Sequence, residues 1–221
     1  SVKRMTSTPS MLTATRHGDH DQIAVITLDR PEVMNAISTE FALQITAVMT
    51  QLAAVQGVSV VVLASSAQRA FCVGADLKER GDFSTEQLMA HRDVSRAAYR
   101  SVLDLPMPAV AAVDGYALGG GLELALSCDL IVASASAVLA LPKVSVGLIP
   151  GGGGTQLLQR RLGWSAAASL IFTARRLSAD SAHDLGLVDL MSNTDAALPA
   201  ALALAKEISA NSPVALREAK Q

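Results

Sequence analysis

The sequence predicts an α/β domain in which strands alternate with helices. Short apolar runs rich in β-branched residues recur along the chain, and such runs are typical of strands buried on both faces. Between them lie longer segments whose apolar residues recur at helical spacing. Strands separated in this way need crossover connections, which are the mark of α/β domains.

The same patterns place each element. Strands are expected at Ile23–Leu28, Val58–Ala64, Ala109–Val113, Leu130–Ala133 and Val138–Leu141. A first helix is expected from Ser38, a favourable N-cap, through Ala54. Further helices are expected at Thr85–Leu105, Gln156–Arg161, Ala166–Thr173, Ala179–Leu185 and Ala196–Ser209.

Composition excludes several classes of protein. Of the 221 residues 50% are hydrophobic and only 17% are charged, which excludes a disordered chain. Aromatic residues make up 3%, so the core must consist of Ala, Val, Leu and Ile. The net charge of −2 argues against a general nucleic-acid binder, which needs a basic face. Cys72 and Cys128 each lie in an apolar run and are expected to be buried free thiols.

One uncharged stretch is long enough to cross a membrane, between Glu40 and Arg69. It contains four glutamines, and its apolar residues change from helical spacing to a β-branched run at Gly57. We therefore expect a helix followed by a buried strand and no membrane insertion. No apolar region follows the polar segment Ser1–Ser10, so no secretory signal is expected and the cytoplasm is the expected compartment.

Glycine follows predicted strands in three loops. In Ala70–Arg80, the turn at Gly74 would let a ligand approach free backbone N–H groups, but on this signal alone a plain turn is the favoured interpretation. In Asp114–Asp129, three consecutive glycines open an apolar helix that contains Glu123. The N–H groups at that helix N-terminus suit a developing oxyanion. Glu123 suits acid/base chemistry in such apolar surroundings, or it could be a solvated side chain that complements the helix dipole.

The third glycine loop, Leu141–Gln156, contains Pro150 followed by four glycines. It lacks the Gly-Lys-Ser/Thr ending of a P-loop. Neither of these two glycine runs has the spacing of a dinucleotide-binding fingerprint, so a nucleotide site is not expected. The four histidines form no metal-binding signature, and no metal is expected.

Five motifs in order resemble the crotonase superfamily, the enoyl-CoA hydratase/isomerase group. They are LDRPEVMNAIS (Leu28–Ser38), AFCVGADLKE (Ala70–Glu79), AAVDGYALGGGLELALSCD (Ala111–Asp129), VGLIPGGGGTQLL (Val146–Leu158) and ARRLSADSAHDLGLVD (Ala174–Asp189). Each alone is a modest signal, whereas all five in order are highly specific.

The resemblance implies a spiral of repeated ββα units, followed by a C-terminal helical region used for trimer formation. It predicts a flexible segment over residues 1–20, a spiral core over 21–190 and the start of the helical region over 191–221. Most of that region is expected to be absent, because the sequence stops at Gln221. The expected assembly is a homotrimer or a dimer of trimers.

The resemblance also implies an acyl-CoA or enoyl-CoA substrate, so that CoA enters with the substrate and no separate cofactor is needed. The backbone N–H groups of Ala75 and Gly120 would form an oxyanion hole around the thioester carbonyl. Glu123 matches the first of the two catalytic glutamates of the hydratases. The adenine and pantetheine path would be lined by Val33, Ala36, Asp76 and Leu77.

The chain departs from the hydratase pattern at the second glutamate. A Pro-Glu pair is expected before the glycine-rich turn, but the sequence has Pro142-Lys143. A protonated lysine cannot activate water as a carboxylate does. Lys143 could form an ion pair with Glu123 or point to solvent.

The departure leaves several functions open. The favoured interpretation is a hydratase or isomerase that depends on Glu123. Alternatives are a non-catalytic acyl-CoA binder and another crotonase-type CoA-thioester reaction. A serine hydrolase using Ser127, Ser145 and His183 is disfavoured, because no Gly-x-Ser-x-Gly motif is present.

Overall fold

The computed structural model describes residues 10–221, which fold around two mixed sheets. The strands are β1 (Leu12–His17), β2 (Ile23–Leu28), β3 (Val60–Ser65), β4 (Ala70–Cys72), β5 (Ala109–Val113), β6 (Tyr116–Leu118), β7 (Leu130–Ala133), β8 (Val138–Ala140), β9 (Leu177–Ser178) and β10 (Leu190–Met191). The six-stranded sheet has the order β1-β2-β3-β5-β7-β10, and the four-stranded sheet has the order β4-β6-β8-β9.

The helices lie between and after these strands. They are α1 (Thr39–Ala54), α2 (Leu77–Gly81), α3 (Thr85–Leu103), α4 (Gly120–Leu126), α5 (Gly154–Thr173), α6 (Ala179–Asp184), α7 (Ala197–Ser209) and α8 (Pro213–Lys220). Helix α5 is interrupted at Gly163, where φ is 75°, which agrees with the two shorter helices expected there.

The chain advances as a spiral of ββα units. The successive pairs β3/β4, β5/β6 and β7/β8 each place one strand in the large sheet and one in the small sheet, and a helix follows each pair. The pairings along this spiral are parallel, with antiparallel pairs at β1–β2 and β8–β9. The predicted α/β class and the ββα spiral are confirmed.

The central strands are apolar throughout because both of their faces are buried. Successive side chains of a strand point to opposite faces of the sheet. In β3, Val61 and Leu63 face the main core, which includes Phe41 and Met49 of α1. The alternate residues of β3 face α7 and form a second core with it. This core includes Val60 and Val62 of β3 and three alanines of α7, Ala197, Ala201 and Ala205. Small residues on α7 let this helix lie close to the sheet.

Two boundaries of the predicted domain organisation need correction. Residues 1–9 of the expected flexible segment lie outside the described residues, but Leu12–His17 form β1, which pairs antiparallel with β2. At the other end, α7 covers a face of the large sheet and is therefore part of the same core as residues 21–190. Within residues 10–221, no helix is long and apolar enough to span a bilayer.

Both cysteines are free and buried, as predicted. Burial raises the pKa of each thiol to about 12, because desolvation disfavours the thiolate. We therefore expect neither native thiol to react appreciably with Ellman's reagent at pH 8, and both to react once the chain is unfolded in denaturant. Prompt reaction of either thiol in the native protein would contradict this assignment.

Candidate functional site

Two glycine loops on successive turns of the spiral meet at the predicted oxyanion hole. Gly74 ends the loop after β4 and has a φ of 89°, whereas Gly120 begins α4. A methyl group on Gly74 would lie only 2.8 Å from the amide nitrogen of Gly120. The contact therefore requires glycine at position 74, both for its backbone angle and for its lack of a side chain.

The N–H groups of Ala75 and Gly120 have no hydrogen-bond partner within residues 10–221. The residues on either side of Ala75 form an isolated parallel bridge with Ile37. Ile37 N donates to Gly74 O, and Asp76 N donates to Ile37 O, so the bridge does not involve the Ala75 N–H. In α4, the first backbone donor into the helix is Glu123 N, to Gly119 O at 3.0 Å. The Gly120 N–H is thus left at the positive end of the helix. This is the arrangement that an oxyanion hole needs.

Glu123 lies one turn into α4 and is fully buried. Its Oε1 accepts hydrogen bonds from the backbone N–H groups of Gly152 (2.7 Å) and Gly154 (3.0 Å). Its Oε2 accepts from Nζ of Lys143 at 2.6 Å. Three donors around one buried carboxylate hold it as an acceptor in a fixed orientation. The solvated Glu123 considered from sequence is therefore excluded.

Lys143 forms an ion pair with Glu123 and does not point to solvent, which was the other orientation compatible with the sequence. Its side chain is only 19% exposed. Lys143 belongs to a short 3-10 helix, Pro142–Val146. Its aliphatic side chain packs over Gly119, where a methyl group on Gly119 would lie 3.6 Å from Cε of Lys143. The ammonium group therefore reaches Glu123 alongside the loop that carries the Gly120 N–H.

The turn of four glycines has a role that sequence analysis missed. Gly152 and Gly154 hold Glu123, and a methyl group on Gly152 would lie 2.4 Å from the ring of Tyr99 and 3.1 Å from Cδ of Glu123. The signal in the sequence was a proline and four glycines between a strand and a helix. Such a run permits a close backbone approach, but the sequence does not identify the group that is approached.

Tyr99 of α3 is a second residue that sequence analysis missed. A methyl group on Gly120 would lie 2.4 Å from its hydroxyl oxygen, so the Tyr99 side chain packs directly against Gly120. Burial raises the pKa of Tyr99 well above its ordinary value of 10, and the nearby Glu123 charge raises it further. The phenol is therefore neutral at physiological pH. Nothing in the sequence alone distinguishes Tyr99 from the other residues of this helix.

The predicted CoA-binding residues lie together beside this site, because the Ile37–Ala75 bridge joins their two segments. Asp76 caps α2 through the N–H of Glu79 and forms an ion pair with Arg30 at 3.5 Å. Arg30 also donates to the carbonyl of Ala36. Of these four residues, Ala36 is buried, Val33 and Asp76 are half-buried, and Leu77 is 74% exposed.

The residues of the disfavoured hydrolase are not brought together. The hydroxyl of Ser127, which follows the last residue of α4, donates to the carbonyl of Glu123, and that of Ser145 donates to Pro142 O. His183 lies at the end of α6, with Nδ1 3.0 Å from Val188 O. No catalytic triad is formed from these three residues.

The enoyl-CoA hydratase/isomerase family model matches residues 18–221. The chain belongs to the enoyl-CoA hydratase/isomerase family. Human enoyl-CoA hydratase domain-containing protein 2, a mitochondrial protein, is 44% identical over 207 residues, which cover 92% of this chain and 71% of that protein. Human methylglutaconyl-CoA hydratase is 41% identical over 202 residues, covering 90% of this chain and 60% of that protein.

Solved structures of the enoyl-CoA hydratase/isomerase family share the fold. The enoyl-CoA hydratase of Bacillus anthracis superposes with a TM-score of 0.92 at 36% identity, covering 96% of this chain and 81% of that one. The crotonase-like fold expected from the five motifs is therefore confirmed.

Proposed function

We propose that this protein acts on a 2-enoyl-CoA, by hydration or by a shift of the double bond, with Glu123 as the acid/base. The observation that carries the proposal is the contact between Gly74 and Gly120. The N–H groups of Ala75 and Gly120, which have no partner among the described residues, flank this contact, and Glu123 follows Gly120 on α4. The names of relatives that are hydratases of CoA thioesters support the same chemistry.

Both reactions pass through an enolate-like state in which negative charge develops on the thioester oxygen. The Ala75 and Gly120 N–H groups would stabilise that charge without reorganisation, and loss of one such donor typically costs on the order of 10²–10³ in rate. In hydration, Glu123 would take a proton from water as the water oxygen bonds to the β-carbon, and would return a proton to the α-carbon. In isomerisation it would move a proton between two carbons. In either reaction a single carboxylate can both accept the proton and return one.

A second candidate is a non-catalytic acyl-CoA binder. It is favoured by the three donors on Glu123, because Lys143 and two backbone N–H groups occupy three of the about four lone-pair sites of the carboxylate and leave little room for it to take a proton. Another crotonase-type CoA-thioester reaction, which would use the same oxyanion hole with a different acid, is the third candidate.

The test is turnover of crotonyl-CoA, followed by loss of the ultraviolet absorbance of the conjugated thioester. We expect slow turnover by the natural chain and faster hydration by Lys143→Glu, which supplies the second carboxylate of the hydratases. Lys143→Gln is the matched control, because it removes the ion pair without adding a carboxylate and should not gain hydratase activity.

Two outcomes would overturn parts of this proposal. An unchanged rate in Lys143→Glu would contradict the placement of Lys143 at the second acid position. Absence of turnover over short and long acyl chains, with acyl-CoA binding retained, would establish the non-catalytic binder.

The proposed assembly is a homotrimer or dimer of trimers, and the proposed compartment is the cytoplasm. Both follow from the resemblance and from the sequence, and both stay predictions.

A further inference from the structure

The side chain of Tyr99 lies between the two glycine runs of the candidate site. A methyl group on Gly120 would lie 2.4 Å from its hydroxyl oxygen, and a methyl group on Gly152 would lie 2.4 Å from its ring. The residue is only 6% exposed. The phenol therefore occupies space that exists because both neighbours lack a side chain, and the two contacts fix the position of its hydroxyl.

The Tyr99 hydroxyl has no hydrogen-bond partner within residues 10–221. The carboxylate of Glu123 accepts instead from Lys143 and from two backbone N–H groups. In the described part of the chain, the one side-chain nitrogen or oxygen that is both unpaired and closed to solvent belongs to Arg80, so the unpaired Tyr99 oxygen is open to solvent. A hydroxyl on so buried a residue is normally paired within the protein. This one is left free for water or for a ligand that displaces water.

The hydroxyl is within reach of an oxygen bound by the Gly120 N–H. Backbone geometry places a methyl carbon on Gly120 about 2.5 Å from the amide nitrogen of the same residue. The Tyr99 oxygen therefore lies within about 5 Å of that nitrogen. Each hydrogen bond spans about 2.7–3.0 Å, so two donors at this separation can share one acceptor. The same methyl position is 3.3 Å from Cα of Gly74, the residue before Ala75, so the hydroxyl stands where the two oxyanion loops meet.

The phenol at this position is a hydrogen-bond donor and not a base. Burial raises the pKa of Tyr99 and the Glu123 charge raises it further, so the hydroxyl keeps its proton at physiological pH. The ammonium group of Lys143 is already bound to Glu123. Among the side chains that border Gly119 and Gly120, Tyr99 is therefore the one whose donor is free.

We propose that Tyr99 is a further catalytic residue, whose hydroxyl donates a third hydrogen bond to the thioester oxygen beside the N–H groups of Ala75 and Gly120. The bond strengthens as negative charge develops on that oxygen, which is the condition for a contact to raise the rate. The phenol keeps its proton throughout, and Glu123 carries out the proton transfer. The inference rests on the proposed binding of a CoA thioester and deepens it by adding a side-chain donor to the oxyanion hole.

The carbonyl stretch of a bound saturated thioester tests this bond without any chemistry. The probe is butyryl-CoA labelled with ¹³C at the thioester carbon, measured at saturation by isotope-edited infrared difference spectroscopy. Each hydrogen bond that the oxygen accepts polarises the carbonyl and lowers its stretching frequency. Tyr99→Phe removes the hydroxyl and keeps the ring that packs against Gly152. We expect the frequency of the bound probe to be lower in the natural chain than in Tyr99→Phe, and equal frequencies would overturn the proposal.

Tyr116→Phe is the matched control, because it makes the same chemical change at the second of the two tyrosines, at the start of β6. It should leave the frequency of the bound probe unchanged, and a shift as large as that of Tyr99→Phe would overturn the assignment. Urea denaturation separates a structural role. The midpoint of Tyr99→Phe should not fall, because the hydroxyl has no partner within residues 10–221 to lose.

Steady-state kinetics with crotonyl-CoA measures the same bond in the transition state. We expect the kcat of Tyr99→Phe to fall about 10–10²-fold, the usual contribution of a hydrogen bond to a charged group. KM should change little, because a contact made mainly in the transition state lowers kcat and kcat/KM together. An unchanged kcat in Tyr99→Phe would contradict the catalytic role.

The infrared and kinetic measurements separate this inference from the proposed function. A frequency difference between the natural chain and Tyr99→Phe, without turnover of crotonyl-CoA by either, would support Tyr99 as a donor to the thioester and contradict the enzymatic proposal. Turnover at the same kcat, with the same frequency in both proteins, would do the reverse. Failure of the natural chain to bind butyryl-CoA would overturn both.

Discussion

Replacing Glu123 with Gln is expected to lower turnover of crotonyl-CoA by about 10²–10⁴-fold, the usual contribution of a general acid or base. Glutamine keeps an oxygen that can accept the N–H groups of Gly152 and Gly154, so the shape of the site should persist. The dissociation constant of butyryl-CoA should therefore stay nearly unchanged. Steady-state kinetics measures the turnover, and calorimetry measures the dissociation constant of butyryl-CoA.

A double variant controls for a packing effect in that experiment. In Glu123→Gln alone, the amide NH2 would face the Lys143 ammonium, which places two donors against each other. Adding Lys143→Met removes that conflict. The double variant should be more stable than Lys143→Met alone and should remain inactive. Full activity in either Glu123→Gln background would exclude Glu123 as the acid/base.

Replacing Lys143 with Met is expected to destabilise the fold by about 3 kcal/mol, because it leaves the Glu123 charge buried without its cation. We place the effect at the lower end of the range for broken buried pairs, since two backbone N–H groups still solvate the carboxylate. Urea denaturation measures it as a lower midpoint at an unchanged slope.

The control for this stability measurement is Arg100→Met, which breaks the surface pair with Asp104 at the C-terminal end of α3. Solvent screens that pair, so the change in midpoint should be much smaller. If Lys143→Met were as stable as the natural chain, the ion pair would contribute nothing and the two glycine N–H groups alone would hold Glu123.

The sequence predicted the elements that have enough residues to show a period. Strands β2 and β5 and helices α1 and α3 were placed within a residue or two, because their apolar patterns run over a full strand or several helical turns. Strands β4 and β6 have three residues each, which is too few for a period to be visible. Their formation depends on pairing with strands one turn of the spiral away.

The roles of the candidate site residues stay predictions, but the structure shows how close some of them lie to one another. Motif order singled out Ala75, Gly120, Glu123 and Lys143. In the structure, the loop that carries Ala75 contacts the loop that carries Gly120. Glu123 and Lys143 form an ion pair. Which atoms approach Glu123 from the glycine turn could not be predicted, because Gly152 is brought there by tertiary packing.

The meeting of Gly74 with Gly120 also has a consequence for the order of folding. The two loops belong to successive turns of the spiral, and they are joined through the parallel pairing of β4 with β6. Parallel pairing between strands distant in sequence forms slowly, because loop-closure entropy must be overcome before the contacts are made. We therefore expect acyl-CoA binding to appear late during refolding, after most of the helical circular dichroism has recovered. Ligand binding would then report the final docking step rather than the initial collapse.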